Sequence, residues 1–409
     1  MKKIAMLVFV LCSNLVFAQQ LTSWNEVRDE HIGQDLIVAG MVVRTYDSGK
    51  ATFLNFAEDY KGTFTAVIFS DAACDFKVPP ADFFLGRVVH VQGQVKKYKG
   101  ALEIIVDGPQ SISCADGTQV AVNPPVTGQY KVGDKFAAGV RFVSWNIENF
   151  FDHHDDPYRN EGNTRTVSES RMARLAVAIN SMNADVIALQ EVENRGLLEE
   201  FNRNYLNGLG YEVVLFEGND KRGIDNAVLS RLPIEAVTSY RHSDYQDSNG
   251  VTRRFGRDLL RVSIGGDFNT DVYVVHFKSQ SGGEKSDVKR EAEAAKALAI
   301  IEAEVKLNPN YQFVIAGDFN EVPSEPSVKM FVDAGFVDSC AGTDKYTYNK
   351  KPYLSRIDFV LCSAKLAQKI SFADIIQSMP GLSLKCVSDH YPVWVEFETK
   401  SEQNGEELR

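Results

Sequence analysis

From residue 140 onward the chain repeats one pattern, an apolar and often β-branched run that ends on a carboxylate, a carboxamide or an imidazole. Five segments show it: Ser144-Trp145-Asn146-Ile147-Glu148, Leu189-Gln190-Glu191-Val192, Ala316-Gly317-Asp318-Phe319-Asn320, Arg356-Ile357-Asp358-Phe359 and Ser388-Asp389-His390-Tyr391-Pro392. Short apolar runs bounded by turn signals read as buried strands. One polar strand end is an ordinary cap; five in succession require the ends to converge on shared chemistry. Between them Met172, Leu175, Ala176, Ile179 and Met182 fall at helical spacing, and further helices are expected over 197–207, 285–305 and 325–334. Strands are expected at 142–147, 185–189, 212–216, 226–230, 259–264, 272–277, 312–316, 357–361 and 392–397. Adjacent strands interleaved with helices predict an α/β fold, two sheets stacked as a sandwich and flanked by helices.

With 409 residues the chain is too long for one core, and its first third is built differently. Residues 19–122 are strand-rich. Ile37–Val42 and His90–Val95 echo each other, each with glycine between β-branched or apolar residues, as at a bend or bulge in a curved strand. Thr63–Phe69 alternates, and Ala101–Val106 follows a Lys99-Gly100 turn. Short curved strands of this kind predict a small closed barrel, and the pattern resembles an oligonucleotide/oligosaccharide-binding (OB) barrel. Residues 123–139, with two prolines and three glycines, read as a linker. The catalytic unit is then expected over 140–398 and a polar tail over 399–409. At the other end, Lys2-Lys3, an apolar run from Ile4 to Leu11 and the small-residue site Val16-Phe17-Ala18 have the order of a secretory signal peptide, residues 1–18, cleaved after Ala18. The run is too short to span a bilayer, so no stable membrane insertion is expected.

Export permits disulfides. Five cysteines remain after the leader, an odd number that leaves at least one unpaired, and Cys362 lies in an apolar run as a buried thiol would. The formal net charge of −11 argues against broad electrostatic capture of nucleic acid. The barrel shares it, with nine Lys and Arg against thirteen Asp and Glu, so a structural or substrate-positioning role fits it better than nucleic-acid binding.

Hard oxygen donors suit Mg²⁺, with Mn²⁺ or Ca²⁺ as alternatives, and imidazoles beside carboxylates suit proton transfer. The order WNIENF, LQEVE, GDFN, RIDF and SDHYP resembles the endonuclease/exonuclease/phosphatase family that includes deoxyribonuclease I, over 141–397. The resemblance implies a four-layered α/β sandwich with the site at the top of the two sheets. It implies Glu191 as the principal metal ligand, with Glu148 and Asp389 as further oxygen donors. Asn146 and Asn320 would hold the scissile phosphate, Asp318 would orient the attacking water, and Asp358 would fix the tautomer and position of His390, which would face the phosphate as catalytic base or phosphate-stabiliser. His276, at a strand end, would serve as general acid, and Arg257 would face the phosphate. Two segments are weaker: Phe151–Asp156 reads as a solvated loop more readily than as a cation site, and Lys221–Asn226 has the character of a backbone contact.

These readings converge on an exported phosphodiesterase whose partner is nucleic acid, in the first place DNA. Two alternatives stand beside it, a lipid phosphodiesterase of the sphingomyelinase type and a non-catalytic nucleic-acid-binding module.

Overall fold

A computed structural model describes residues 21–124, 139–161 and 164–399. The leader at 1–18, all but the ends of the linker and the tail from 400 onward lie outside the described residues. The chain divides into two compact units between Asn123 and Pro124.

The first unit is a barrel. Its central strand Val88–Tyr98 pairs antiparallel with Asp35–Met41 on one side and Ala101–Ile105 on the other. The path then runs through Thr65–Phe69 and Ala51–Asn55 to Arg44–Asp47. Asp35–Met41 and Arg44–Asp47 are halves of one bent run, so the path ends where it began and the sheet closes. Of the bend or bulge expected at these glycines no bulge forms between the two strands: Asp35–Met41 and Val88–Gln94 stay in unbroken register from Asp35↔Gln94 to Met41↔Val88. The glycines serve packing instead. A Cβ on Gly40 would sit 2.5 Å from ring atoms of both Trp24 and Phe56, and one on Gly93 would sit 2.8 Å from Ile104 Cγ2. The interior holds Val38, Leu54, Ile68, Val91 and Ile104, all fully buried.

The second unit stacks two six-stranded sheets. The first runs Glu212–Leu215, Asp225–Ser230, Val186–Val192, Gly139–Phe150, Val393–Glu398, Ile370–Ile375. The second runs Ile234–Ser239, Leu260–Ile264, Thr270–His276, Phe313–Asp318, Asp358–Cys362, Val337–Asp338. Phe142, Ala188, Val274, Val314 and Val360 fill the gap between them. Helix Glu169–Met182 covers the first sheet, and Glu284–Leu307 with Pro326–Asp333 covers the second, burying Tyr273, Ile315, Phe319 and Phe331. Ser168 caps the first of these helices by accepting from Arg171 N, Pro326 opens the last, and a further helix, Arg195–Tyr205, starts where Asn194 accepts from Leu197 N. Cys362 is fully buried as expected, and Cys114 and Cys340 are also free and buried. No helix among the described residues is long and apolar enough to cross a membrane.

Candidate active site

Strand register builds the site. Gln190 pairs with Asn146 on one side and Asn226 on the other, so three carboxamides form a row across the first sheet. On the second sheet Asp318 pairs with His276 and with Asp358, forming a second row. Directly paired residues share a face, and the two rows meet across the gap: Asn146 Nδ2 donates to Asp318 Oδ2 at 3.1 Å. Gly317 makes the second row compact, because any Cβ there would lie 1.9 Å from Val275 O. Only glycine lets these two parallel strands approach so closely beside the chemistry.

Above the rows, two tight turns carry oxygen donors. Among the described residues seven non-glycine positions have positive φ, and four of them are Glu148, Asn149, Glu191 and Asn320. Each such conformation costs about 1–3 kcal/mol and persists only where the surroundings over-determine it. Here the determinants are visible. Asn149 N donates to Glu191 Oε2 at 2.7 Å, Glu148 N donates to Asn146 Oδ1 at 3.0 Å, and Asp389 N donates to Glu148 Oε2 at 2.9 Å. Arg171 reaches up from its helix and gives its guanidinium to the carbonyls of Ile147, Glu148 and Asn149, while its Nε donates to Val387 O at 2.7 Å. One buried cation thus ties the Glu148 turn to the loop that carries Asp389.

His390 Nδ1 lies 2.8 Å from Asp358 Oδ2, and its Nε2 lies 3.9 Å from both Asp318 Oδ2 and Asp389 Oδ1. Burial alone would lower its pKa, but Asp358, with Asp318 and Asp389 behind it, holds it well above the ordinary imidazole range. His276 is the opposite case. Its Nε2 is 3.5 Å from Asp318 Oδ2 and 3.9 Å from Glu191 Oε1. Yet burial, then the charges of Arg257 and His390, hold it well below that range. Burial and the Asp358 charge raise Asp318, and burial and Glu148, with Glu191 also contributing, raise Asp389. Beyond its burial, Asp389 is raised by the negative charges of Glu148 and Glu191 beside it, a repulsion a divalent cation would relieve, so these three oxygen donors fit a hard metal ion. Asp318, Asp358 and His390 also bring ligating atoms within 4.8 Å of one another. They suit a cation less well, because the Asp358–His390 hydrogen bond already occupies the ring nitrogen that faces Asp358.

The remaining expected residues are all present. Asn320 Nδ2 donates to Phe277 O at 3.0 Å, and its own N–H is held by Asp318 Oδ1 at 2.8 Å. Arg257 lines the cleft but spends one nitrogen on Phe277 O, at 2.6 Å, and another on Asp220, at 3.3 Å. Of the two weaker segments, Lys221 and Arg222 line the cleft. The 151–156 segment is a turn: Asp152 accepts from His154 N at 2.6 Å and from Asn194 Nδ2 at 3.1 Å.

Three contributors escaped the sequence reading. Gln190 stood inside a recognised motif without a role, and Asn226, which donates to Asp258 O and Val274 O, stood at the edge of another. Only strand register places them beside Asn146. Tyr348, whose ring centroid lies 5.2 Å from that of His390, carried no sequence signal. Burial and the nearby carboxylates push its hydroxyl up to about 12. Glu148, Glu191, His276, Asp318, Asp389 and His390 open into a cleft of about 1060 Å³, whose lining also includes Lys221, Arg222, Lys278 and Lys289.

Comparison with known proteins places this geometry. No curated protein sequence matches the chain. Among solved structures the chain is similar to a protein of the same family from Leptotrichia buccalis, at 17% identity over 63% of this chain and 99% of that one, with a TM-score of 0.46. It is similar to the human Nocturnin catalytic domain at 16% identity, over 64% and 94%, TM-score 0.47. Beta toxin from Staphylococcus aureus is at 16% identity, over 63% and 99%, TM-score 0.46. Residues 36–108 match a family model described as an OB-fold nucleic acid binding domain. Residues 141–352, half of the chain, match the endonuclease/exonuclease/phosphatase family model, and the chain belongs to that family.

Proposed function

We propose that the protein is an exported, divalent-metal-dependent phosphodiesterase that hydrolyses nucleic acid, in the first place as a DNA endonuclease. The observation that carries the reading is the facing pair of rows, with His390 fixed by Asp358 and both histidines directed at Asp318. Glu191, Glu148 and Asp389 would hold the cation, which when bound supplies charge neutralisation at the phosphate. Asp318 orients the attacking water. It is suited to do so because burial keeps its oxygen basic and Asn146 holds it in place. His390, held charged by Asp358, presents a cationic N–H to the phosphate oxygens as negative charge builds there. His276 stands on the other side of Asp318, and because burial holds it below the ordinary imidazole range it would take up a proton only as the anionic phosphate enters beside it, and would then give that proton to the departing oxygen. Asn146 and Asn320 offer amides to the phosphate, and Arg257 supports the strand end that carries His276.

Export rests on the leader sequence alone. The barrel's match to an OB-fold nucleic acid binding domain adds weight to a nucleic-acid substrate, whereas its own acidic balance assigns it a positioning role. The test is incubation of the mature protein with plasmid DNA, RNA and sphingomyelin vesicles, each with Mg²⁺ and with EDTA. Nicking of the plasmid that EDTA abolishes supports the reading. Hydrolysis of sphingomyelin in preference to both nucleic acids moves the protein to the lipid class, and no turnover of any of the three leaves only a binding role.

A further inference from the structure

The cleft wall beside His276 carries cations from three separate elements. Arg257 precedes the strand Leu260–Ile264, Lys278 follows the strand Thr270–His276, and Lys289 belongs to the helix Glu284–Leu307; all three line the cleft. Their placement traces to Glu293, a helix carboxylate only 2% exposed. Its Oε1 accepts from Gly256 N at 3.2 Å and lies 3.8 Å from Lys289 Nζ, and its Oε2 accepts from Lys278 N at 2.7 Å. One buried acid therefore fastens both loops to the helix and sets the three cations together on one wall.

Two carboxylates answer part of this charge, Asp220 at 3.3 Å from Arg257 and Glu293 at 3.8 Å from Lys289. Lys278 is held below the ordinary ammonium range, first by burial and then by the charges of Arg257 and Lys289. Its Nζ meets only neutral oxygens within hydrogen-bond distance, the nearest being Ser279 Oγ at 2.9 Å. Arg257 is 8% exposed, and its Nε has no hydrogen-bond partner. Three cations against two carboxylates leave Lys278 Nζ and Arg257 Nε without an anionic partner, a place an anion entering the cleft would fill. The cations face the same cleft as the scissile-phosphate groups, yet they belong to the His276 side and not to the carboxylate cluster.

We propose that Arg257, Lys278 and Lys289 form a second phosphate subsite, so that the substrate carries a further phosphate one unit beyond the bond that is cut. This rests on the phosphodiesterase reading and narrows it to a polyanionic, nucleotide-built substrate. A phosphocholine headgroup offers a cation where this wall calls for an anion.

The experiment compares four substrates on the full-length mature protein: the p-nitrophenyl ester of thymidine 5′-phosphate, with and without a 3′-phosphate, and the p-nitrophenyl ester of thymidine 3′-phosphate, with and without a 5′-phosphate. In one of the two pairs the added phosphate is expected to lower KM about tenfold, the scale of one or two charge-assisted contacts, with kcat little changed. In the double variant Lys278→Gln, Lys289→Gln that gain should vanish. Both lysines are partly exposed, so the fold is expected to survive, and an unchanged melting temperature checks it. An added phosphate that changes KM equally in wild type and variant, or in neither, overturns the subsite while turnover of the single-phosphate esters leaves the phosphodiesterase reading intact. If none of the four esters is cleaved and sphingomyelin vesicles are, both readings fall.

Discussion

His276 and His390 face the same carboxylate and are tuned in opposite directions, His276 lowered by burial so that it needs the substrate's negative charge to hold a proton, and His390 raised by Asp358. Their roles separate by leaving group. Loss of a general acid typically costs on the order of 10²–10⁴ in rate, and less when the leaving oxygen is already a weak base. His276→Ala should therefore be severely slowed on DNA and much less so on a nitrophenyl diester, whereas His390→Ala should lose activity on both. Equal losses on both substrates for His276→Ala would make it a phosphate ligand. A third buried group gives a stability prediction. Burial, with the charges of Glu217 and Asp220 adding to it, pushes the Asp225 carboxyl up to about 8 despite a hydrogen bond from Gly218 N. A folded value above the unfolded one means stability that is complete below the ordinary carboxylate range near 4 and lost as pH rises toward 8. Asp225→Asn keeps the oxygen that Gly218 uses and removes that dependence. The melting temperature of the variant relative to wild type should therefore improve between about pH 5 and pH 8. A constant difference would show that Asp225 is ionised when folded.

At the scale of elements, the turn Ile147–Asn149 depends on the helix behind it through Arg171. Losing an outer partner of a metal site typically costs about 10–100-fold in metal affinity. Arg171→Met should raise the Mn²⁺ concentration for half-maximal rate by about that factor. Arg171→Lys should recover part of it, and direct Mn²⁺ titration by electron paramagnetic resonance should show the same order. Unaltered Mn²⁺ affinity in Arg171→Met would reduce the residue to a packing role. Elements were legible where burial was one-sided or complete: the spacing of Leu175, Ile179 and Met182, and the fully buried runs at 186–190 and 313–318. Of the edge strands Glu212–Leu215 was legible, with its two buried residues at one end, and two others were not. Ile234–Ser239 and Ile370–Ile375 mix exposed and half-buried positions, which blurs a two-residue period. The site was legible as a set of types, because Glu191, Asp318 and His390 sit in short contiguous motifs. Gln190, Asn226 and the Lys278–Lys289 wall acquire meaning only through register and through Glu293, neither of which a linear pattern contains.

For the molecule as a whole, each unit closes its own hydrophobic core, one around Val38 and Ile104 and the other around the two sheets. A chain beginning at Val140 should thus fold and hydrolyse short diesters at a rate within a few-fold of the full protein; a soluble, folded truncation without activity would show that the barrel helps to build the site. Within the second unit, the division of the site between two sheets has a kinetic consequence. The contacts that join the halves span great lengths of chain, 172 residues between Asn146 and Asp318 and 32 between Asp358 and His390. Contacts of high sequence separation form late. On dilution from denaturant, far-ultraviolet ellipticity should return first, and the capacity to cut substrate should return only with the slowest phase, when the sheets dock and Trp145 becomes buried. Turnover is then a clock for the last event in folding, and a partly folded chain would be chemically silent until that event is complete.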